Sequence, residues 1–218
     1  MQQETQFDLI VVGGGTAGAF SAIAAAREGL KVAVVERGTC LGGLAASSGL
    51  TEMNAAGFQG APLYRGIERE VFDRLIWGGH AAYHFAVPMS SNKEVKIDRL
   101  RYDPERLKLL LEQLAVEAGI TLLYETELTA AREGEEECQI TARGPYQEIA
   151  LSGKYLIDAT GNASLVQALG GETEAVDERE RMIATLMFRI SNVDLDQLDA
   201  FIHSPRLGET IRQGRESG

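Results

Sequence analysis

Gly13, Gly15 and Gly18 stand in a G-x-G-x-x-G spacing at the end of an apolar run, Phe7 to Val12, and Glu36 ends the next apolar run, Val32 to Val35. These residue types suit the binding of a dinucleotide. Gly13 permits a tight turn out of a strand, Gly15 lets the backbone approach a pyrophosphate, and Gly18 lets a helix pack close to a sheet. The free N–H groups at the start of that helix, through Thr16 and Ala17, and its positive dipole end would face the phosphates. Glu36 lies where a carboxylate can accept hydrogen bonds from two ribose hydroxyls. Each such bond to a charged group is worth about 1.5–3 kcal/mol. An acid at this point disfavours a 2′-phosphate and so argues against NADP.

The fingerprint carries weight only in a strand–turn–helix–strand setting. The sequence supplies one: an alanine-rich stretch from Thr16 to Arg27 with helical character, Gly29 to end it, then the run at 32–35. Further along, Ile67, Val71, Leu75 and Ile76 recur at helical spacing, so 64–77 reads as a helix ended by Gly78 and Gly79. Asp103-Pro104 reads as a helix cap and first turn, Leu107, Leu110, Leu111, Leu114 and Ala118 as one apolar face, and Gly119 as the stop. Ile120–Tyr124 reads as a buried strand. Residues 127–131, 138–142 and 147–151 read as a three-stranded antiparallel meander. Residues 45–62 are small and glycine-containing and read as irregular backbone; within 80–100 only a short strand around Val95 and Ile97 is legible. Gly170 and Gly171 close a short helix, 172–181 is a charged linker, 184–190 reads as a strand, and the glycine-bearing tail from Ser204 reads as poorly ordered.

The fingerprint alone does not separate NAD from FAD. Lys-Tyr-Leu-Ile-Asp-Ala-Thr-Gly at 154–161 and Glu-Arg-Gly-Thr-Cys-Leu-Gly-Gly-Leu at 36–44 resemble segments of the FAD-dependent oxidoreductases of the glutathione reductase structural class. Leu-Gly-Gly-Leu-Ala-Ala-Ser-Ser-Gly-Leu at 41–50, Tyr-Asp-Pro-Glu at 102–105 and Ala-Thr-Leu-Met-Phe-Arg-Ile at 184–190 resemble one family within that class, distantly similar to fumarate reductase flavoproteins and to glucose-inhibited division proteins. The resemblance covers residues 6 to about 195. It implies FAD as cofactor and a hydride exchanged between flavin N5 and a small-molecule substrate. It also implies that Gly42 and Gly43 lie along the diphosphate and flavin, and that Asp158, Thr160 and Gly161 approach the ribityl chain. Arg37 would stack beside the adenine, and the backbone near Leu128 would border it.

The expected fold class is therefore α/β: a Rossmann-like FAD-binding domain with a parallel sheet, helices on both faces and the meander across one of them. The domain expectation is 1–175 for this unit and 176–218 for the start of a truncated substrate domain or a flexible tail. Complete members of the resembled family extend much further, so a missing substrate domain or a partner chain is expected. The catalytic residues are unknown, and a catalytic base is expected in the missing part. Two rivals remain: a NAD-dependent dehydrogenase, against which the 39–44 and 158–161 segments speak, and a non-catalytic FAD-binding module or half of a split enzyme.

Composition narrows the class. At 218 residues, with 44% hydrophobic and 24% charged residues, the chain can bury an ordinary core. A net charge of −11 with no Lys/Arg cluster argues against nucleic acid. The acidic run Glu133, Glu135, Glu136, Glu137 reads as a solvated turn. Cys40 and Cys138 are far apart and form no disulfide framework, which suits a reducing cytosol; no secretory leader and no membrane-length apolar stretch are apparent, so a cytoplasmic location is expected. Cys40 has no second cysteine nearby, position 45 being Ala45, and reads as a structural or merely nearby thiol. His80 and His84 are four apart but lack the glutamate of a zinc helix, so no metal is expected. His84 is a weak candidate for orienting a substrate, and Arg65 and Arg189 for binding its carboxylate. Trp77, Tyr83 and Phe85 read as core.

Overall fold

The computed structural model describes residues 5–58, 61–88, 94–177, 179–182 and 184–217. The chain forms two compact units, Met1–Thr185 and Leu186–Gly218.

In the first unit the elements run β1 (Gln6–Val12), α1 (Thr16–Arg27), β2 (Val32–Val35), α2 (Leu44–Ser47), β3 (Glu52–Phe58), β4 (Ala61–Pro62), α3 (Gly66–Trp77), β5 (Ala81–Pro88), β6 (Lys96–Tyr102), α4 (Pro104–Glu117), β7 (Thr121–Leu123), β8 (Glu127–Arg132), β9 (Cys138–Arg143), β10 (Glu148–Asp158) and α5 (Ser164–Ala168). The main sheet has the order β7-β2-β1-β10-β9-β8. β7, β2, β1 and β10 are mutually parallel, while β9 and β8 add antiparallel strands. A second, four-stranded antiparallel sheet has the order β4-β3-β6-β5.

From Leu9 to Val12 β1 is continuously apolar and buried, because both of its faces are covered there. Leu9 and Val11, with Val32 and Val34, pack on Ala19, Ala22 and Ile23 of α1 and on Leu107, Leu111 and Leu114 of α4. Ile10, Val12, Ala33 and Val35 pack on Ile140 and Ala142 of β9, Leu151 of β10 and Leu165 of α5. The meander thus crosses the second face. α4 begins as its sequence dictates: the Asp103 side chain accepts a hydrogen bond from the Glu105 amide at 2.9 Å, and Pro104 fills the first turn.

Several expectations are revised. The third meander strand and the strand bearing Asp158 are one, β10; Gly153 does not break it, because a Cβ there would press on Ile10 at 3.1 Å, so the glycine is a packing requirement inside a strand. Residues 45–62 are not irregular but carry α2, β3 and β4, and 80–100 carries β5 and β6. Their pattern is obscured because small residues line β3 and because β5 is an edge strand with a largely exposed burial pattern. Trp77 and Phe85 are 79% and 59% exposed and so are not core.

In the second unit, Leu186 to Ile190 form no strand: no described strand pairs with them, and an alternating pattern cannot hold a strand without a ladder. Ala184 and Thr185, at the end of the first unit, are likewise irregular. α6 (Leu195–Ile202) and α7 (Pro205–Glu216) follow, so the stretch after Ser204 is helical despite Gly208 and Gly214. Gln59 and Gly60 of the supposed irregular stretch, the gap at 89–93, Glu178 of the linker and Gly218 of the tail lie outside the described residues.

Candidate functional site

The parallel strands end together. Val12 is in register with Val35 on one side and Asp158 on the other, and Val35 with Leu123. Strand order diverges at β1, with β2 to one side and β10 to the other. A ligand crevice forms outside the carboxyl ends of strands at such a switch point.

The three fingerprint glycines have separate duties there. Gly13 sits at φ +99°, and a Cβ on it would lie 2.4 Å from the Ala159 carbonyl oxygen, so the corner is packed against the turn after β10. A Cβ on Gly18 would lie 1.8 Å from the Gly13 carbonyl oxygen, so α1 crosses the corner at backbone contact. Around Gly15 the space is open: a Cβ would meet nothing within 4 Å. Gly15 caps α1 without a side-chain acceptor, and the first turn holds no acid. The leading amides of the helix therefore face an open, electropositive cradle able to take an anionic group.

The Gly42–Gly43 pair closes one side. The Gly42 amide donates to the Gly14 carbonyl at 2.8 Å, and Gly15 and Gly42 pair in parallel. Gly43, at φ +51°, stands so near Gly15 that a Cβ would approach its Cα to 2.9 Å. Glu36 lies beside the corner. Its carboxylate accepts from the Gly14 amide at 2.5 Å through Oε2 and from the Gly38 amide at 2.5 Å through Oε1. Gly14, a mere spacer in the fingerprint pattern, proves to be part of the site. The triple glycine was its only signal. The turn before β8 clasps this region from beyond: Thr126 N donates to Glu36 O at 3.0 Å and Glu125 N to Gly38 O at 2.9 Å. That brings Leu128 near the acidic strand tip, half-buried in the second core cluster, while Arg37 is exposed.

The Asp158 carboxylate turns inward. Oδ1 accepts from Thr160 N at 2.9 Å and Thr160 Oγ1 at 2.7 Å, and Oδ2 from Val166 N in α5 at 3.0 Å. Thr160 Oγ1 in turn accepts from Ser164 N at 2.9 Å. Burial pushes the Asp158 carboxyl up, but these hydrogen bonds outweigh it and hold the group below its ordinary value. Asp158 and Thr160 therefore brace the turn, and Gly161, at φ +78° with open space at its Cβ position, is the member left facing outward. A group with a depressed folded pKa stabilises above its unfolded pKa and ceases to do so as pH falls through the folded value. Asp158→Asn is expected to cost about 1–2 kcal/mol at neutral pH, the usual scale for a helix cap. That difference should shrink in urea titrations below about pH 4; a difference independent of pH would contradict the bracing role.

Other candidates fall apart from this cluster. Tyr124, which sequence reading passed over as strand, follows β7 beside Glu36, Cys40 and Glu112; burial first, then those neighbours, push its phenol up to about 12. Cys40 Sγ lies 3.4 Å from Ser47 Oγ. Arg65 precedes α3 and donates to the Tyr64 carbonyl at 3.1 Å, and Arg189 belongs to the second unit. His84 lies exposed on β5, paired with Arg99 in the ladder. Among the described residues no group of three or more His, Cys, Asp or Glu could hold a metal ion, and no helix is long and apolar enough to cross a membrane.

Comparison with known proteins agrees with this architecture. A family model described as FAD dependent oxidoreductase matches residues 8–216. No curated protein matches the chain. Among solved structures, p-nitrophenol 4-monooxygenase PnpA from Pseudomonas putida DLL-E4 is 16% identical with a TM-score of 0.57, over 78% of this chain and 45% of that one. A flavoprotein/dehydrogenase from Cytophaga hutchinsonii is 15% identical with a TM-score of 0.54, over 76% and 42%. BexE, studied for oxidation during BE-7585A biosynthesis, is 23% identical with a TM-score of 0.53, over 74% and 33%. These likenesses show the fold. The chain spans between a third and a half of the length of these structures.

Proposed function

We propose, for a chain that belongs to the FAD-dependent oxidoreductase family, that the cradle at the carboxyl ends of β1, β2 and β10 binds FAD and that the chain supplies the nucleotide-binding part of a hydride-transferring enzyme. The observation that carries this reading is the contrast among the fingerprint glycines: Gly13 and Gly18 are filled in by the protein itself, whereas Gly15 faces open space at the uncapped start of α1. When bound, the flavin supplies hydride exchange at N5.

The chain's own residues bind and orient. Gly13 and Gly18 fix the corner, and the leading amides of Thr16, Ala17 and Gly18 meet the diphosphate. Glu36 takes the ribose hydroxyls. Its two oxygens each hold one backbone amide and keep further lone pairs for this. Arg37 and the backbone at Leu128 flank the adenine. Gly42 and Gly43 run along the diphosphate toward the flavin, with Gly161 on the other side, while Asp158 and Thr160 hold the turn that presents it. Family membership favours FAD over a nicotinamide nucleotide in this cradle. The limited share of the matched structures that the chain spans favours a further domain or partner on the substrate side.

Glu36 provides the test. Alanine would also strip the Gly14 and Gly38 amides of their acceptor, so glutamine is the cleaner change. Glu36→Gln is expected to weaken FAD binding roughly 10- to 100-fold, the worth of one charged hydrogen bond, while the thermal melt stays cooperative. Unchanged affinity in a flavin fluorescence titration would remove Glu36 from the site.

A further inference from the structure

We infer that the small sheet carries a second binding site, for a small zwitterionic α-amino acid, in a depression lined by Arg101 and Asp103; this does not depend on the flavin reading above. The depression has a volume of about 350 Å³, at the low end of what small ligands fill. It lies where β5 begins and β6 ends, and Thr51, His80 and Ala82 also line it.

Strand alternation puts the two charged residues on one face. Tyr102 stands between them, is 6% exposed in the core, and donates its hydroxyl to the Ala45 carbonyl of α2 at 3.0 Å. Arg101, and Asp103 on the extended residue after β6, therefore project from the opposite side, away from α2. Ala82 lies across the ladder from Arg101, and the Asp103 amide donates to the His80 carbonyl at 2.8 Å. The small side chain at 82 leaves the hollow between its larger neighbours.

The charges there do not cancel among themselves. Glu52 is shared by two guanidinium groups, accepting from Arg99 Nη1 at 2.8 Å and from Arg101 Nε at 2.9 Å. The bond to Arg101 is foremost in holding the Glu52 carboxyl below its ordinary value, against the effect of burial. One carboxylate cannot match two cations. Arg99 is drawn in, its side chain 17% exposed, whereas that of Arg101 is 62% exposed. The Nε bond fixes the plane of the Arg101 guanidinium, and among the described residues its terminal nitrogens meet no acceptor. A fork oriented in advance suits a carboxylate. Asp103 supplies the opposite sign. Its Oδ1 accepts from the Glu105 amide at 2.9 Å, and among the described residues Oδ2 has no donor and Arg101 pairs with Glu52 rather than with Asp103. A simple carboxylate would meet Asp103 as a like charge, and a simple amine would meet Arg101 as one. A ligand with a carboxylate and an ammonium on one carbon answers both.

The test is saturation-transfer NMR on the full chain with L-leucine and two relatives that each lack one charge, 4-methylpentanoate and 3-methylbutylamine. Saturable L-leucine binding is expected, with each relative bound about three- to tenfold more weakly, the scale of one charge contact open to solvent. Asp103→Asn keeps the cap of α4, since asparagine caps as well as aspartate. Its melt should match the parent's, while L-leucine loses its advantage over 4-methylpentanoate. Arg101→Gln should instead remove the advantage over 3-methylbutylamine. No saturable L-leucine binding, equal binding of L-leucine and either relative, or variants that keep the parent's order of preference would overturn the proposal.

Discussion

Gly15→Val is expected to give a well-folded protein that no longer holds FAD. The backbone at Gly15 is extended, at φ −60° and ψ −177°, which valine adopts without strain. Its Cβ would enter open space, so stability should change by no more than about 0.5 kcal/mol, as for a surface position. The same branched side chain would fill the room in front of the α1 amides. Two charge-assisted hydrogen bonds to a diphosphate are worth roughly 3–6 kcal/mol together, so FAD affinity should fall by on the order of 10²–10⁴. The measurement is a paired one: thermal melting by circular dichroism and flavin content after purification. A variant that melts like the parent and still carries flavin would contradict the assignment.

Gly18→Ala should do the opposite and damage the fold before any ligand matters. One methyl group would stand 1.8 Å from the Gly13 carbonyl oxygen. The clash is with backbone, so no rotamer relieves it; α1 must lift from the corner that β1 enters. Overpacking of this kind costs typically about 1–3 kcal/mol, and a rigid backbone partner places this case at the upper end or beyond. For a chain of this size about 3 kcal/mol lowers the melting temperature by roughly 6–12 °C. A melt within a degree or two of the parent would show that the helix is not seated as described. Together the two variants would separate duties that a single motif conceals: Gly18 makes room for the protein's own backbone and Gly15, on the proposed reading, for the ligand.

That separation also marks what a sequence can convey. β1, α1 and β2 were legible because their hydrophobic runs, their punctuating glycines and Glu36 all point the same way. α3 and α4 were legible from helical spacing and, in α4, from the Asp103-Pro104 start. β3 and β5 were not: β3 depends on β6, a partner distant in sequence, and β5 is an edge strand, and neither carries a clean alternation of its own. The stretch at 147–151 and the strand bearing Asp158 read as separate, whereas they are one strand, inside which Gly153 packs against Ile10. At the site, the residue types and their convergence at the strand ends were legible. The internal hydrogen bonds were not: that Asp158 would cap α5, or that Gly14 and Gly38 would hold Glu36, depends on side-chain direction, which spacing does not encode. Trp77 and Phe85 were assigned to the core on hydrophobicity alone, which cannot separate a buried ring from an exposed one.

The most direct test of the account is titration of FAD into the flavin-free chain, followed by quenching of flavin fluorescence. One FAD per chain, bound saturably and not displaced by excess NAD, is the expected result. No saturable binding, or ready displacement by NAD, would contradict it.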